Sequence, residues 1–289
     1  MIVDTHTHFY DPTRPQGIPW PPAEDKLLYR TVQPEHHRAL AEPEGVTGTV
    51  VVEASFWLED NQYVLDLAAQ DPWIVGVVGN IATDRPEFGA ELDRFAANPL
   101  FRGVRVRGTN PFEDVESGNF LADMAKLAAL DLEVDVLIHK QHVDGLVALA
   151  NHLPELRIVV DHIGHMPIDG TPIDGRPIAA EWIDAYARLA EPPNVYVKVS
   201  AVMEQSTVQP APVDLGFYVP ALDALWNAFG EDRVIYGSNW PVCERAGTFA
   251  QSIRIVKDYV RGKGQDAWDN YFWKNGQAAY KWVARQAAS

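Results

Sequence analysis

Eight short runs rich in β-branched residues, at 2–8, 48–54, 73–80, 102–107, 134–139, 157–162, 194–200 and 233–238, most narrowly limit how this chain can fold. Several are nearly continuous in apolar residues, among them Val50-Val51-Val52, Ile74-Val75 followed by Val77-Val78, and Ile158-Val159-Val160. That pattern suits parallel strands covered on both faces. Segments of helical periodicity fill the gaps, at 61–70, 87–98, 117–130, 142–152, 178–190, 214–229, 247–261 and 266–284. Strand and helix alternating in this way predict an α/β fold, a (β/α)8 or TIM barrel. Pro86, Pro154, Pro192 and Pro193 fall at predicted element ends, where proline is tolerated or stops a helix. The 289 residues are near the ~250 that one barrel needs, and no linker divides them, so one domain over 1–289 is expected.

Composition narrows the partners. Lys and Arg total 24 against 40 Asp and Glu, a formal charge of -16, which is the wrong sign for wrapping a phosphate backbone or an anionic membrane. A small anionic substrate is still compatible, because a few arginines in a pocket outweigh a global field that salt screens beyond ~8 to 10 Å. Cys243 is the single cysteine, which removes any disulfide framework and any cysteine-rich zinc site. With no run of about 18 apolar residues and no basic stretch leading into an apolar one, a cytoplasmic protein is expected.

Three connections after strands are long: about 9–34, 163–177 and 201–213. The first carries Pro12, Pro15, Pro19, Pro21, Pro22 and Pro34, so it is stiff, and its Tyr10 and Trp20 suit a lid or pocket wall. It can close over its own pocket or reach a neighbouring subunit in a homo-oligomer. The second holds Pro-Ile-Asp-Gly twice, at 167–170 and 172–175, which reads as two turns.

His6 and His8 stand two apart at the end of the first strand, so both rings leave one face there. His139 and His162 end the fifth and sixth strands in the same way, and His165 follows shortly after. Strand ends facing the βα loops form the functional rim of a barrel; four imidazoles converge on that rim, and two leaving one face are placed to reach one metal ion. Asp4 shares the parity of His6 and reads as a structural hydrogen-bonding group one layer deeper.

The segments Val3-Asp4-Thr5-His6-Thr7-His8, Gly103-Val104-Arg105, Asp161-His162-Ile163-Gly164, Val197-Lys198-Val199-Ser200 and Gly237-Ser238-Asn239-Trp240-Pro241-Val242 occur in this order along the chain. In that set the chain resembles the amidohydrolase-related proteins, in the branch that includes sugar-acid lactonases and pyrone-dicarboxylate lactonase. The resemblance implies a hydrolase opening a small sugar-acid or carboxylated lactone at the barrel mouth. It implies metal-holding positions at His6, His8 and His139, where zinc would suit three imidazoles with an open position for water, and a histidine at His162 that either binds metal or polarises the substrate carbonyl. Several lactonases of the branch work without metal, so a metal-free site is the other reading.

One departure stands out. Most hydrolytic members of the family end strand eight in an aspartate that moves the proton, whereas this chain has Asn239. An amide is no general base, so either another group, His162 or His165 by position, carries the proton, or the reaction is a lactone isomerisation or a metal-dependent decarboxylation. A barrel that binds a ligand without turnover is the alternative from a different class. Among the remaining candidates, Arg105 suits a carboxylate clamp or an ion pair, and Arg107 a structural pair. Glu53 suits orienting a histidine or binding substrate hydroxyls, and Lys198 steadying an oxyanion. Trp20, Trp57 and Trp240 suit pocket walls, and Cys243 reads as a small buried residue.

Overall fold

The computed structural model describes residues 1–107, 112–171 and 177–285. Strands β1 (Val3–Thr7), β2 (Gly48–Val52), β3 (Ile74–Gly79), β4 (Phe101–Val106), β5 (Glu133–Val136), β6 (Arg157–Val160), β7 (Val195–Val199) and β8 (Val234–Tyr236) form one parallel sheet in sequential order. The sheet closes through a bridge between Thr7 and Trp240, where His8 N donates to Trp240 O at 3.0 Å and Asn239 N donates to His6 O at 2.9 Å. The result is a (β/α)8 barrel, with each expected strand in place and shortened at one or both ends.

Helices α1 (Pro34–Ala41), α2 (Asp60–Gln70), α3 (Phe88–Ala96), α4 (Phe120–Ala129), α5 (Val143–His152), α6 (Pro177–Ala190), α7 (Leu215–Phe229) and α8 (Phe249–Arg261) follow their strands. Helix α8 shows why they form: Thr248 and Gln251 cap its start reciprocally, and Ile253, Val256 and Val260 turn one apolar stripe inward. Helix α1 lies outside every helical segment expected from the sequence. It buries only Pro34, His37 and Ala41, so it has no apolar stripe to read. His37 anchors it instead, donating from Nε2 to Asp4 Oδ2 at 3.1 Å and accepting at Nδ1 from Trp73 Nε1 at 3.0 Å.

The segment 266–284, expected as one helix, is three pieces: α9 (Gln265–Asp269), a π-helical turn over Asn270–Lys274 and α10 (Asn275–Tyr280), ended by left-handed Lys281. It then crosses the bottom of the barrel. Arg102 at the start of β4 donates to Tyr280 O at 3.0 Å, Arg157 at the start of β6 donates to Ala279 O at 2.6 Å, and Val283 N donates to Val75 O at 3.0 Å. Tyr280 and Trp282 thereby join Val3, Val50, Val159 and Ile235 in a buried apolar cluster. The second Pro-Ile-Asp-Gly copy, at 172–175, lies outside the described residues. Among those described, no helix is long and apolar enough to cross a membrane.

Candidate active site

Register slips between Asp4 and Thr7 where β1 pairs with β2. Such a bulge reverses side-chain parity, so Asp4 and His6 do not share a face as their spacing suggests. Asp4 turns to His37 on α1 and also accepts from Ser238 N at 2.8 Å, whereas His6 faces the barrel interior. Close approach of β8 is part of this arrangement: a Cβ at Gly237 would stand 2.9 Å from His6 Cβ.

Inside the barrel a fully buried ionic cluster supports the mouth. Lys198 Nζ donates to Asp135 Oδ2 at 2.7 Å and to Asp161 Oδ1 at 2.9 Å, and lies 3.1 Å from His6 Nδ1. Arg105 Nε donates to Asp161 Oδ2 at 2.9 Å. Burial works against both charges of the Lys198–Asp161 pair, but each partner overcomes it: Asp161 is held well below the usual carboxylate range by Lys198, Arg105 and His6, and Lys198 stays charged beside Asp135 and Asp161. Burial and the Asp161 charge push Asp135 up to about 6. Held by two carboxylates at the level of Asp135, Lys198 is a strut under the site.

Above this cluster the imidazoles are neutral. Burial pushes His6 and His162 well below the ordinary histidine value, and burial with the nearby Arg105 brings His8 down to about 3. Their hydrogen bonds then fix the tautomers. His8 donates from Nδ1 to Val52 O at 2.6 Å, leaving Nε2 as its lone-pair nitrogen. His162 Nε2 accepts from Arg105 at 3.3 Å, so its Nδ1 donates to Ser200 Oγ at 2.8 Å. His165 donates from Nδ1 to Ile138 O at 3.1 Å. The His6 ring lies 5.0 Å from that of His8 and 4.3 Å from that of His162, and its buried Nε2 has no partner among the described residues. His6, Asp161 and His162 each bring a ligand atom within 4.8 Å of the others.

Backbone conformation contributes to the mouth. His162 (φ 52°), Ile163 (φ 48°), His165 (φ 62°), Ala201 (φ 55°) and Asn239 (φ 62°) are left-handed residues just beyond β6, β7 and β8. Such geometry is costly away from glycine and clusters where side chains must be aimed. These ends bound a cavity of 340 Å³ lined by His8, Arg105, His162, His165 and Asn239, with Trp20, Arg107 and Glu204 on its walls. Trp20 comes from the loop after β1, which Tyr10 and Val32 pin by mutual backbone hydrogen bonds of 2.9 and 2.8 Å. Its ring stands 5.7 Å from His8, so this loop covers its own pocket.

Most of the other expected residues sit apart from the cavity, and Arg107 on its wall is tied to backbone. His139 is exposed at the rim, its ring tilted 38° to that of His165 at 4.8 Å, and does not join His6 and His8. Trp240 is fully buried against Phe9 and His37, its indole donating to Glu244 at 2.9 Å, so it supports the wall from behind. Trp57 lines a separate open groove of 740 Å³ beside α2, where Arg14 and Asp60 already pair at 2.9 Å. Glu53 is buried beneath the rim, its Oε1 accepting from Ser55 N at 2.6 Å, and burial raises it to about 7. The Arg107 guanidinium donates to Ala54 O at 2.5 Å and to Glu53 O, and burial lowers it to about 10. Cys243 is buried, as expected.

Sequence reasoning missed Glu204, whose Oε1 accepts from Asn239 Nδ2 at 3.0 Å. A single carboxylate directly after the apolar Ala201-Val202-Met203, and the only one in the long 201–213 loop, was the available signal.

The family model described as Amidohydrolase matches residues 3–282, the whole of this barrel. The chain belongs to the amidohydrolase family and is a hydrolase of that family. It is 33% identical over 253 residues to an L-fucono-1,5-lactonase of Burkholderia ambifaria, covering 86% of this chain and 82% of that protein. Its fold is similar to that of an amidohydrolase from Burkholderia multivorans solved with bound HEPES, with a TM-score of 0.86, 23% identity and coverage of 98% and 99%. A second crystal form of a Burkholderia multivorans amidohydrolase, with bound zinc, gives a TM-score of 0.83 at 24% identity over 98% and 99%.

Proposed function

We propose that this enzyme hydrolyses a small sugar-acid lactone of the L-fucono-1,5-lactone kind in the 340 Å³ cavity at the barrel mouth. The observation that carries the reading is the cavity's lining: neutral imidazoles and the Arg105 guanidinium meet in a space of the size small-molecule sites use. The 33% identity to an L-fucono-1,5-lactonase across most of both chains supports the substrate class.

Arg105 has a fixed orientation, set by Asp161 below and His162 beside it, and its remaining N–H groups suit the negative charge that grows on a lactone carbonyl oxygen. Trp20 walls the pocket and keeps water from the ring except along the open mouth. Asp161 and Lys198 hold the His6 ring; Val52 O holds that of His8. The His6 and His8 rings suit a divalent cation; Asp161 and His162 each bring a ligand atom within 4.8 Å of one on His6, and His162 would join only by giving up its bond from Arg105. The orphaned His6 Nε2 is the telling atom. For that atom to ligate, His6 Nδ1 must donate to Asp161 Oδ1, which lies 3.2 Å away. Such a cation, zinc by the donor set, would polarise the lactone carbonyl. His139 stands outside this group.

The test is proton release from L-fucono-1,5-lactone and related aldonolactones, corrected for spontaneous opening, alongside elemental analysis of protein purified without added metal. Turnover well above the spontaneous rate is expected, with about one divalent metal per chain. No turnover on any of these lactones overturns the lactonase reading, and active protein without metal overturns the cation site.

A further inference from the structure

Lactone hydrolysis needs a group that takes a proton from water and returns one to the ring oxygen. Asn239 is an amide and His162 Nε2 is occupied by Arg105; His165 keeps a lone pair on Nε2, since its Nδ1 is held by Ile138 O, but burial lowers its ring below the ordinary histidine value and makes it a weaker base. Among the lining residues one carries a carboxyl. Glu204, in the loop after β7, lines the same cavity as Arg105, His162 and His165. Its Oε1 accepts from Asn239 Nδ2 at 3.0 Å, and its buried Oε2 has no partner among the described residues.

The loop that carries it is held firmly. Gln205 N donates to Ala201 O at 3.0 Å, and backbone bonds of 2.8 Å run from Ile168 N to Gln205 O and from Thr207 N to Ile168 O. Asn239 is fixed in turn by its N–H to His6 O at 2.9 Å. The amide at the end of strand eight therefore aims a carboxyl from the neighbouring loop.

We propose that Glu204 is the proton carrier of this enzyme and that Asn239 is its positioning residue, an inference that rests on the lactonase reading. As water oxygen bonds to the lactone carbonyl carbon, the Glu204 carboxylate takes the water proton. As the bond from that carbon to the ring oxygen breaks, the carboxyl returns the proton to the ring oxygen, which leaves as a hydroxyl. The carboxylic acid product then loses its own proton to solvent.

Burial raises Glu204 to about 7, which suits a group that must both take and give a proton near neutrality. The ionisable groups around it stay in one state there. Burial, together with the Glu204 charge, raises the Tyr218 hydroxyl to about 12 and the Cys243 thiol well above its ordinary value. Across the cavity His8, His162 and His165 are lowered, and Arg105 and Arg107 are cations.

The experiment compares wild type, Glu204→Gln, Glu204→Ala and Asn239→Asp on L-fucono-1,5-lactone across pH. Wild-type kcat/KM should rise with pH through neutrality as the carboxyl ionises. Glu204→Gln, which keeps the acceptor for Asn239, should lose about 100-fold or more in kcat with little change in KM, and lose that pH limb. Formate should restore part of the Glu204→Ala activity, which an unfolded variant would not allow. Asn239→Asp should move the limb to higher pH, because a second carboxylate beside Glu204 disfavours its ionisation. An active wild type whose Glu204→Gln variant keeps its pH limb and more than a tenth of kcat overturns the inference alone. A wild type inert on all lactones overturns the lactonase reading and this inference with it.

Discussion

The two ends of the barrel interior are built from opposite materials. At the bottom, Val3, Val50, Val159 and Ile235 meet Tyr280 and Trp282 in a dry plug. Toward the mouth, Asp135, Lys198, Asp161, Arg105 and His6 form a buried charged lattice. Tyr280 joins them, donating its hydroxyl to Asp135 Oδ1 at 2.8 Å. The contrast separates stability from chemistry along one axis, as barrels generally do. A dry plug gains from every apolar atom it buries. A charged lattice gains little net stability but fixes orientation, since its members are costly to leave unpaired.

The sharpest way to break this division is Lys198→Met. Removing the ammonium leaves Asp135 and Asp161 uncompensated, which should cost about 3–5 kcal/mol in urea unfolding and abolish turnover, since His6 loses its Lys198 contact and the Asp161 that orients Arg105 loses its counter-charge. Stability retained with activity lost would make the lattice purely functional. Trp282→Ala should cost a similar or slightly smaller amount, about 3 kcal/mol or more, through the cavity left in the plug. Its kcat/KM at temperatures where it stays folded should match wild type, and a drop would show that the two ends are coupled.

Glu53→Gln sharpens the comparison with a smaller effect. Burial raises this carboxyl from 4.5 to about 7 in the folded protein, so its stability contribution is full below the unfolded value and is lost as pH rises through 7. An amide in its place does not titrate and has no such loss. The variant should match wild type near pH 4 and be more stable by up to about 3 kcal/mol at pH 8, read as the difference between urea midpoints at the two pH values. Equal stability of the two proteins at pH 8 would show that the carboxyl ionises without cost.

The sequence made the strands legible because β-branched runs are written locally, and the whole of the barrel follows from their count and spacing. Helix α1 was not legible, because what it buries is a histidine with two hydrogen-bond partners from other elements. The parity of Asp4 and His6 was misread for a related reason: a bulge in one strand leaves no mark in composition. Histidines at strand ends pointed to the mouth, and His6, His8 and His162 meet there, but the exposed position of His139 depends on how the chain turns after β5. Glu204 left only a faint signal because its placement depends on a hydrogen bond to Asn239, just beyond β8 and distant in sequence.

The seam that closes the barrel has a consequence for how this protein is made. Ser238 and Asp4, which bond across it, are 234 positions apart, and the same seam fixes the backbone of His6, His8 and Asn239. Contacts between such distant positions form late, because the loop they close is nearly the whole chain. A nascent chain emerging from the ribosome therefore carries its histidines for most of synthesis without a pocket to put them in. Catalytic competence should arrive abruptly with the last strand, so the appearance of turnover during refolding reports barrel closure itself.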